Sequence, residues 1–559
     1  MRAGIARASA LMLSLAALSC APDPAELRDR AAASVSAEHH RRHMEALASD
    51  AMEGREAGTA AFDRAAEYVA GRYEAFGLEP MGDDGSYFQT IEFFETRLVE
   101  DSAVLLLEGP GGALPLALRD DFVAAGGFGR EEEAVTAQLV FAGHGIVAPE
   151  YAHDDYAGID VKGAIVVVLS GAPPGFDTDQ RAFYSSSSGK RTTATARGAI
   201  GFITVSTPVD QKRTPWSRVV SRLGSAGLHW IDETGAAYEG FPELAGSATL
   251  SPAGAEKLFG MAGRDLEALF EKHAAGETGS FPMGVTATVR RRSAQGRATS
   301  SNVAGMVRGS DASLRDEVIV YTAHLDHLGI LPAEGEDRIH NGAYDNAAGV
   351  AAILEVARIV SGMRPAPSRS FLFVALTGEE KGLQGSSYFV SHPPVPIGSI
   401  VANINIDMPY LGHPIADVQG LGVEHSSLQG SLAQAAAITG LALTSDPRPE
   451  LVRFIRSDQF SFVKAGVPAL NLKPGTASSD PGIDGAAMDA DFLENHYHHP
   501  SDDLDLPYSP EGAGRYVRAA LLLGLLVAET GERPRWNAGD FFGERFASTA
   551  RPSPAAAGP

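Results

Sequence analysis

The chain reads as an α/β protein: a mixed, largely parallel sheet flanked by helices, interrupted by a β-rich insertion. Three observations predict this. Over residues 298–535, apolar runs of buried-strand length alternate with stretches of helical periodicity, as in parallel strands joined by crossover helices. Between about 101 and 297 the texture shifts to short apolar runs separated by Gly, Pro and Asp turns. Finally, candidate metal ligands recur just past the apolar runs of the later region, and sites in parallel sheets form outside the carboxyl ends of the strands.

The N-terminus reads as an address. Arg2 and Arg7 precede a short apolar stretch, residues 11–19, that ends at Cys20. This is a signal-peptide pattern over residues 1–20, too short for a permanent membrane-spanning helix. Cys20 is the only cysteine, so no intrachain disulfide can form. Ala17-Leu-Ser-Cys20 resembles a bacterial lipoprotein cleavage box, with Ala17 where Leu is usual; an ordinary secretory signal is the alternative. Acylation of Cys20 with more than one chain gives a stable anchor. The expected location is the cell envelope, periplasmic or outer-membrane anchored, or else secretion, with membrane contact only through lipid at Cys20. The formal net charge of −24 argues against nucleic-acid partners. A length of 559 residues with 44% hydrophobic content suits two or more ordinary globular domains.

Residues 21–35 are Ala-rich and polar, the composition of a linker. Residues 36–100 then begin the principal domain, with Phe62, Ala66, Val69, Tyr73 and Phe76 on one face of a helix closed by Gly77. His39, His40 and His43 sit among Arg41 and Arg42 and read as a solvated helix face without a role. The region around Arg55 either borders a site or makes a structural turn. The insertion spans residues 101–297, and its runs at 137–142 and 163–169 read as strands. Residues 536–559 read as a tail, rich in Pro and Ala at its end and without packing pattern.

The chemistry lies in residues 298–535. Residues 317–323 form an apolar run with His324 at its end, and Asp326 two residues on suits a carboxylate that accepts the His324 ring N–H. Asn341-Gly-Ala-Tyr-Asp-Asn346 is a turn before a helix carrying Val350, Ile353, Leu354, Ala357 and Val360, which puts Asp345 at a loop-to-helix junction. Residues 370–376 form the next strand, with Glu379 and Glu380 just beyond. Residues 400–406 form another, followed by Asp407. His498 lies farther on, in a run with His496 and His499. A mixed His and carboxylate shell with a spare carboxylate as base is what two divalent cations need. No Gly-x-Ser-x-Gly or His-Glu-x-x-His segment occurs, so neither a serine nucleophile nor a helix-borne single-zinc site is suggested.

These segments resemble peptidase family M28, the co-catalytic zinc aminopeptidases: Ala323-His-Leu-Asp-His-Leu-Gly329, Asn341-Gly-Ala-Tyr-Asp-Asn-Ala-Ala-Gly349, Thr377-Gly-Glu-Glu380, Asn405-Ile-Asp407 and Tyr497-His-His-Pro-Ser-Asp502. The resemblance covers about 36–100 and 298–535 and implies a zinc-exopeptidase type of sheet. It implies two Zn²⁺, with Asp345 bridging, His324 and Asp407 completing one site, and Glu380 and His498 the other. Glu379 is then the general base and Asp326 the partner of His324. It also implies a cis peptide between Asp345 and Asn346. Tyr344 stands where the family often has an acidic residue, and His499 where Thr is usual. The choice of His498 over His499 rests on alignment to Tyr497 and Pro500. Within the insertion, residues 155–163 and 196–203 resemble a protease-associated (PA) domain, which in such enzymes forms a lid or substrate platform; a stabilising insertion without substrate contact is the alternative.

The function so implied is removal of N-terminal residues from peptides with a free N-terminus, by a metal-activated water and Glu379. Asp458 is a candidate to hold the substrate ammonium, and equally a helix N-cap. The alternatives on the same fold are a metallo-carboxypeptidase, for which Arg453 and Arg456 are the nearest basic residues, and a one-metal glutaminyl cyclase. The donor set also suits Co²⁺ or Mn²⁺.

Overall fold

Continuous apolar strands have to be covered on both faces, and here they are: Val318–His324 and Ser370–Leu376 are buried at every position. They lie at the centre of the main sheet of the computed structural model, which describes residues 23–277, 279–331 and 337–548. The signal and lipid-attachment stretch expected over residues 1–20 lies outside the described residues.

Val318–His324 pairs in parallel with Ser370–Leu376 on one side and Ile400–Asn405 on the other. Ile400–Asn405 continues in parallel to Ala469–Pro474, and that strand pairs antiparallel with Asp417–Leu421. On the opposite flank Ser370–Leu376 pairs antiparallel with the end of the long strand Ser280–Val307, which in turn pairs with Phe88–Leu98. The sheet is thus mixed and parallel at its centre, as the apolar runs predict. One face is covered by the helices Ala60–Phe76, Ala348–Gly362 and Pro510–Glu529, which share a core with Tyr321, Phe371 and Phe373. The Tyr321 hydroxyl donates to the Ala520 carbonyl at 2.7 Å, tying the last long helix to the central strand.

The helix Ala60–Phe76 starts at Thr59, whose hydroxyl accepts from the Phe62 N–H, and ends at Gly77 with φ 74°. Those are the cap residues its sequence calls for.

The first half of Ser280–Val307 belongs to a second sheet. There it pairs antiparallel with Val104–Gly109 and Glu132–Ala142. Glu132–Ala142, Ile165–Leu169, Gly201–Val205 and Gly246–Leu250 follow in parallel register. This second unit has its own cores, around Leu139, Phe141, Ile165 and Phe259 on one face and Val166, Val168 and Phe202 on the other. One strand therefore runs through both sheets.

Three expectations fail. Residues 24–33, read as linker, form the helix Pro24–Ala33, capped by the Asp23 carboxylate and packed through Ala31 and Ala32. The stretch from 536 is not a loose tail: Trp536 Nε1 donates to the Gly466 carbonyl at 3.0 Å, and Phe541–Phe546 is a helix with Phe542 fully buried. Its partners, among them Phe183 and Phe454, are far away in sequence, so no local pattern announces the packing. Residues 549–559 lie outside the described residues.

His40 and His43 are not solvated. Both are buried in the helix Ala37–Leu47, with His40 Nε2 3.0 Å from the Ala348 carbonyl and His43 Nδ1 2.7 Å from the Tyr68 hydroxyl. Alternation with Arg41 and Arg42 hides an inward face three residues apart. Burial lowers the pKa of each to about 4. Between about pH 4 and 6.5 the unfolded chain therefore binds more protons than the folded one. Stability rises with pH across that window, by at most about 1.4 kcal/mol per pH unit for each histidine, and is lost as pH falls through it. Urea unfolding of His40→Gln between pH 4.5 and 6.5 should show a shallower slope than wild type; an unchanged slope would remove His40 from this account.

Candidate metal centre

The three central strands end at one place. His324 is the last residue of its strand, Glu379 and Glu380 follow Leu376 by three and four residues, and Asp407 follows Asn405 by two. Asp345 enters from the turn before the helix Ala348–Gly362, and His498 from a loop where it takes φ 62°. The peptide between Asp345 and Asn346 is cis.

Two clusters share Asp345: His324 with Asp407, and His327 with Glu380 and His498. His324 Nε2 is 3.2 Å from Asp345 Oδ1 and 3.1 Å from Asp407 Oδ1. On the other side His498 Nε2 is 3.0 Å from Asp345 Oδ2 and 2.9 Å from Glu380 Oε1. His496 faces Ser501 instead, at 2.9 Å, and His499 is exposed.

Backbone donors hold this arrangement. The Asp502 carboxylate accepts the N–H groups of Tyr344 at 2.9 Å and Asp345 at 3.0 Å, fixing the turn on which Asp345 sits. Tyr344 itself is buried and donates its hydroxyl to the Pro507 carbonyl, away from the cleft. The Asn346 side chain donates to the Ile406 carbonyl and accepts the N–H of Gly349 and Met408, pinning the Asp407 loop to the helix start. Gly342, at φ 59°, has no room for a side chain: a Cβ would sit 2.2 Å from the Asp345 carbonyl oxygen and 2.6 Å from the His327 ring. Arg55 is fully buried. It donates to the carbonyls of Leu47, Leu325, Asn341 and Gly342, so it laces both ligand loops to the N-terminal segment instead of facing the cleft.

Asp326 departs from expectation. The His324 Nδ1 partner, at 3.0 Å, is the Asp326 backbone carbonyl. The Asp326 carboxylate accepts the N–H groups of Glu379 at 3.1 Å and Glu380 at 3.3 Å. The spacing of two residues suits either atom of Asp326, and the buried N–H groups of the next strand end take the carboxylate. Asp326 thus positions the Glu379–Glu380 turn, and burial raises its pKa to about 6.

The charge balance points to cations. With the His324 proton donated from Nδ1, the Nε2 electron pair faces two carboxylates, which is favourable only with a proton or a metal ion on Nε2. His327 is fully buried with neither ring nitrogen in a hydrogen bond, and its Nδ1 lies 3.0 Å from Glu380 Oε1 and 3.7 Å from Asp345 Oδ2. Glu380 Oε1 is likewise buried without a hydrogen bond. These orphaned buried groups fit a bound divalent cation. Burial, with the neighbouring carboxylates of Glu380, Asp407 and Asp458, raises the Glu379 pKa well above the usual range despite the pull of His324.

Sequence reasoning missed His327. Its signal was in the quoted segment, directly after Asp326, but which way its ring turns depends on the Gly342 turn. Asp458 is fully buried and is not among the residues lining the cleft, and its side chain makes no cap bond. Burial raises its pKa to about 7.

The clusters open into a cleft of about 1070 Å³ between the two units. Arg453 and Arg456 line it, as do Lys212, Arg218 and Arg222 from the second unit. Arg453 pairs with Asp446, and Arg222 lies against His498 and 3.8 Å from Glu380 Oε2.

Residues 302–523 match the model of peptidase family M28. The chain is 28% identical over 209 residues to aminopeptidase YwaD of Bacillus subtilis (strain 168), covering 37% of this chain and 40% of that protein. It is 31% identical over 147 residues to aminopeptidase NAALADL1 of Mus musculus, covering 25% of this chain and 18% of that one. The chain thus spans less than half the length of these curated relatives. Among solved structures, the aminopeptidase from Aneurinibacillus sp. strain AM-1 superposes with a TM-score of 0.50 at 20% identity, covering 90% of this chain and 97% of that chain, and shares the fold.

The geometry makes Asp326 and Asp502 positioning residues. Asp326→Ala and Asp502→Ala should each weaken zinc binding by about 10- to 100-fold, measured by competition with a chromophoric chelator. Affinity within twofold of wild type would contradict that role.

Proposed function

We propose that the chain, whose residues 302–523 match the model of peptidase family M28, is a zinc aminopeptidase working with two zinc ions. The observation that carries the reading is Asp345, shared between two His–carboxylate clusters. His324, Asp345 and Asp407 would hold one zinc, and Asp345, Glu380 and His498 the other, with His327 as a further ligand. The same donors accept Co²⁺ or Mn²⁺. When bound, such ions would supply polarisation of a scissile carbonyl and a lowered pKa for water.

The protein's own groups do the rest. Glu379 takes a proton from the attacking water and delivers it to the leaving amine, the role its raised pKa suits. Asp326 holds the Glu379 and Glu380 N–H groups, so the base and a metal ligand move together. Asp502 and Arg55 keep the Asp345 turn in place. The likeness to relatives named as aminopeptidases supports a substrate with a free N-terminus. A one-metal glutaminyl cyclase would leave one of the two clusters without a task.

A second reading has its own support. Arg218, Arg222 and Arg456 give the cleft cationic groups beyond the ligands, as a carboxypeptidase gripping a C-terminal carboxylate requires. The two arginines from the second unit also support its reading as a PA-type lid or platform. The proposal includes export and anchoring in the cell envelope through Cys20.

Hydrolysis of matched free and N-acetylated peptides, with and without chelator, separates these readings. Release of the N-terminal residue from free peptides only, abolished by chelator and restored by Zn²⁺, is expected. Loss of the C-terminal residue from both sets would move the assignment to a carboxypeptidase. Glu379→Gln should retain zinc and lose at least about 10²-fold in turnover; near-normal turnover would remove it as the base.

A further inference from the structure

Away from the principal centre, three distant segments meet around His425. The ring is 2% exposed, stacked on Phe454 and edge-on to Phe542. Its Nδ1 is 2.7 Å from Asp540 Oδ2, while the other Asp540 oxygen accepts the Gly543 N–H and caps the helix Phe541–Phe546. Asp540 is thus committed as the acceptor for an Nδ1 proton. That leaves the Nε2 electron pair turned the other way, toward Asp179 Oδ1 at 3.7 Å, with no hydrogen bond. The Glu424 carboxylate completes the group, and the three ligand atoms lie within 4.8 Å of one another. An imidazole electron pair facing two carboxylates, with its other nitrogen held by a third, is the arrangement of a carboxylate–histidine–metal site.

We propose that His425, Glu424 and Asp179 bind a divalent metal ion of the zinc class. One imidazole nitrogen and two carboxylate oxygens suit zinc and its neighbours better than Ca²⁺ or Mg²⁺, which take all-oxygen shells. Asp179 belongs to the helix Thr178–Tyr184 of the second unit, whereas Glu424 and His425 belong to the main one. The ion therefore clips the two units together where Phe183 packs on Phe541 and Phe546. It stands beside Phe454, next to the Arg453 and Arg456 wall of the cleft, so the clip fixes how the second unit sits over that cleft. The inference does not depend on the proposed peptidase chemistry.

The full chain, stripped with chelator and dialysed against micromolar Zn²⁺, can be assayed for bound metal by mass spectrometry. Wild type is expected to retain one zinc more per chain than Glu424→Gln or His425→Gln. The test reads a difference between chains, so it holds whatever number of ions the principal centre keeps. Glu424 is exposed, and its variant decides the matter if His425→Gln does not fold. Equal zinc in wild type and Glu424→Gln would overturn the proposal, leaving a protonated His425 paired with Asp540 and Asp179. Binding that is weak and equal in all chains would overturn it too, as adventitious.

Discussion

Asp345, Glu379, Glu380 and Asp407 are brought into one cleft that also excludes most water from them, and that crowding is the constraint on which the architecture turns. Removing a carboxylate from water costs several kcal/mol even after relaxation, and like charges nearby add to it. Imidazoles supply part of the compensation: His324, His327 and His498 each face at least one of these carboxylates. The two His–carboxylate clusters that share Asp345 are where bound cations would offset the remaining charge. Glu379 is the one member of the group outside both clusters, and burial beside the other carboxylates raises its pKa.

Such a group has to be held from outside, because its members repel each other. The holding is done by backbone N–H groups and by buried side chains. Asp326 fixes the Glu379–Glu380 turn, Asp502 the Asp345 turn and Asn346 the Asp407 loop. Lys473 donates to the carbonyls of Asp407 and Met408, so the neighbouring strand contributes as well. Arg55 ties residues from three separate stretches through four carbonyl acceptors. Its burial lowers its pKa to about 10, which leaves it charged at neutral pH. The N-terminal segment is in this sense part of the centre, although it contributes no ligand.

What was legible in the sequence follows the range of the interactions involved. The strands ending at His324, Leu376 and Asn405 are largely apolar runs, so their places and the residues beyond them could be read locally. The helix ending at Gly77 carries its caps in its own sequence. The Asp326 role was misread because two atoms of one residue compete, and only the fold shows that the carboxylate meets N–H groups 53 and 54 residues on. His40 looked solvated because its burial depends on Ala348 and Tyr508. The packing of Phe541 and Phe542 depends on Phe183 and Phe454, and the cationic wall of the cleft on helices of the second unit. None of these partners is near in sequence.

Anomalous scattering at the zinc edge, from crystals of the full chain grown with Zn²⁺, tests the central claim most directly. The account predicts two peaks flanking the Asp345 carboxylate, one beside His324 and Asp407 and the other beside His327, Glu380 and His498. A single peak in that cleft, or none, would contradict it.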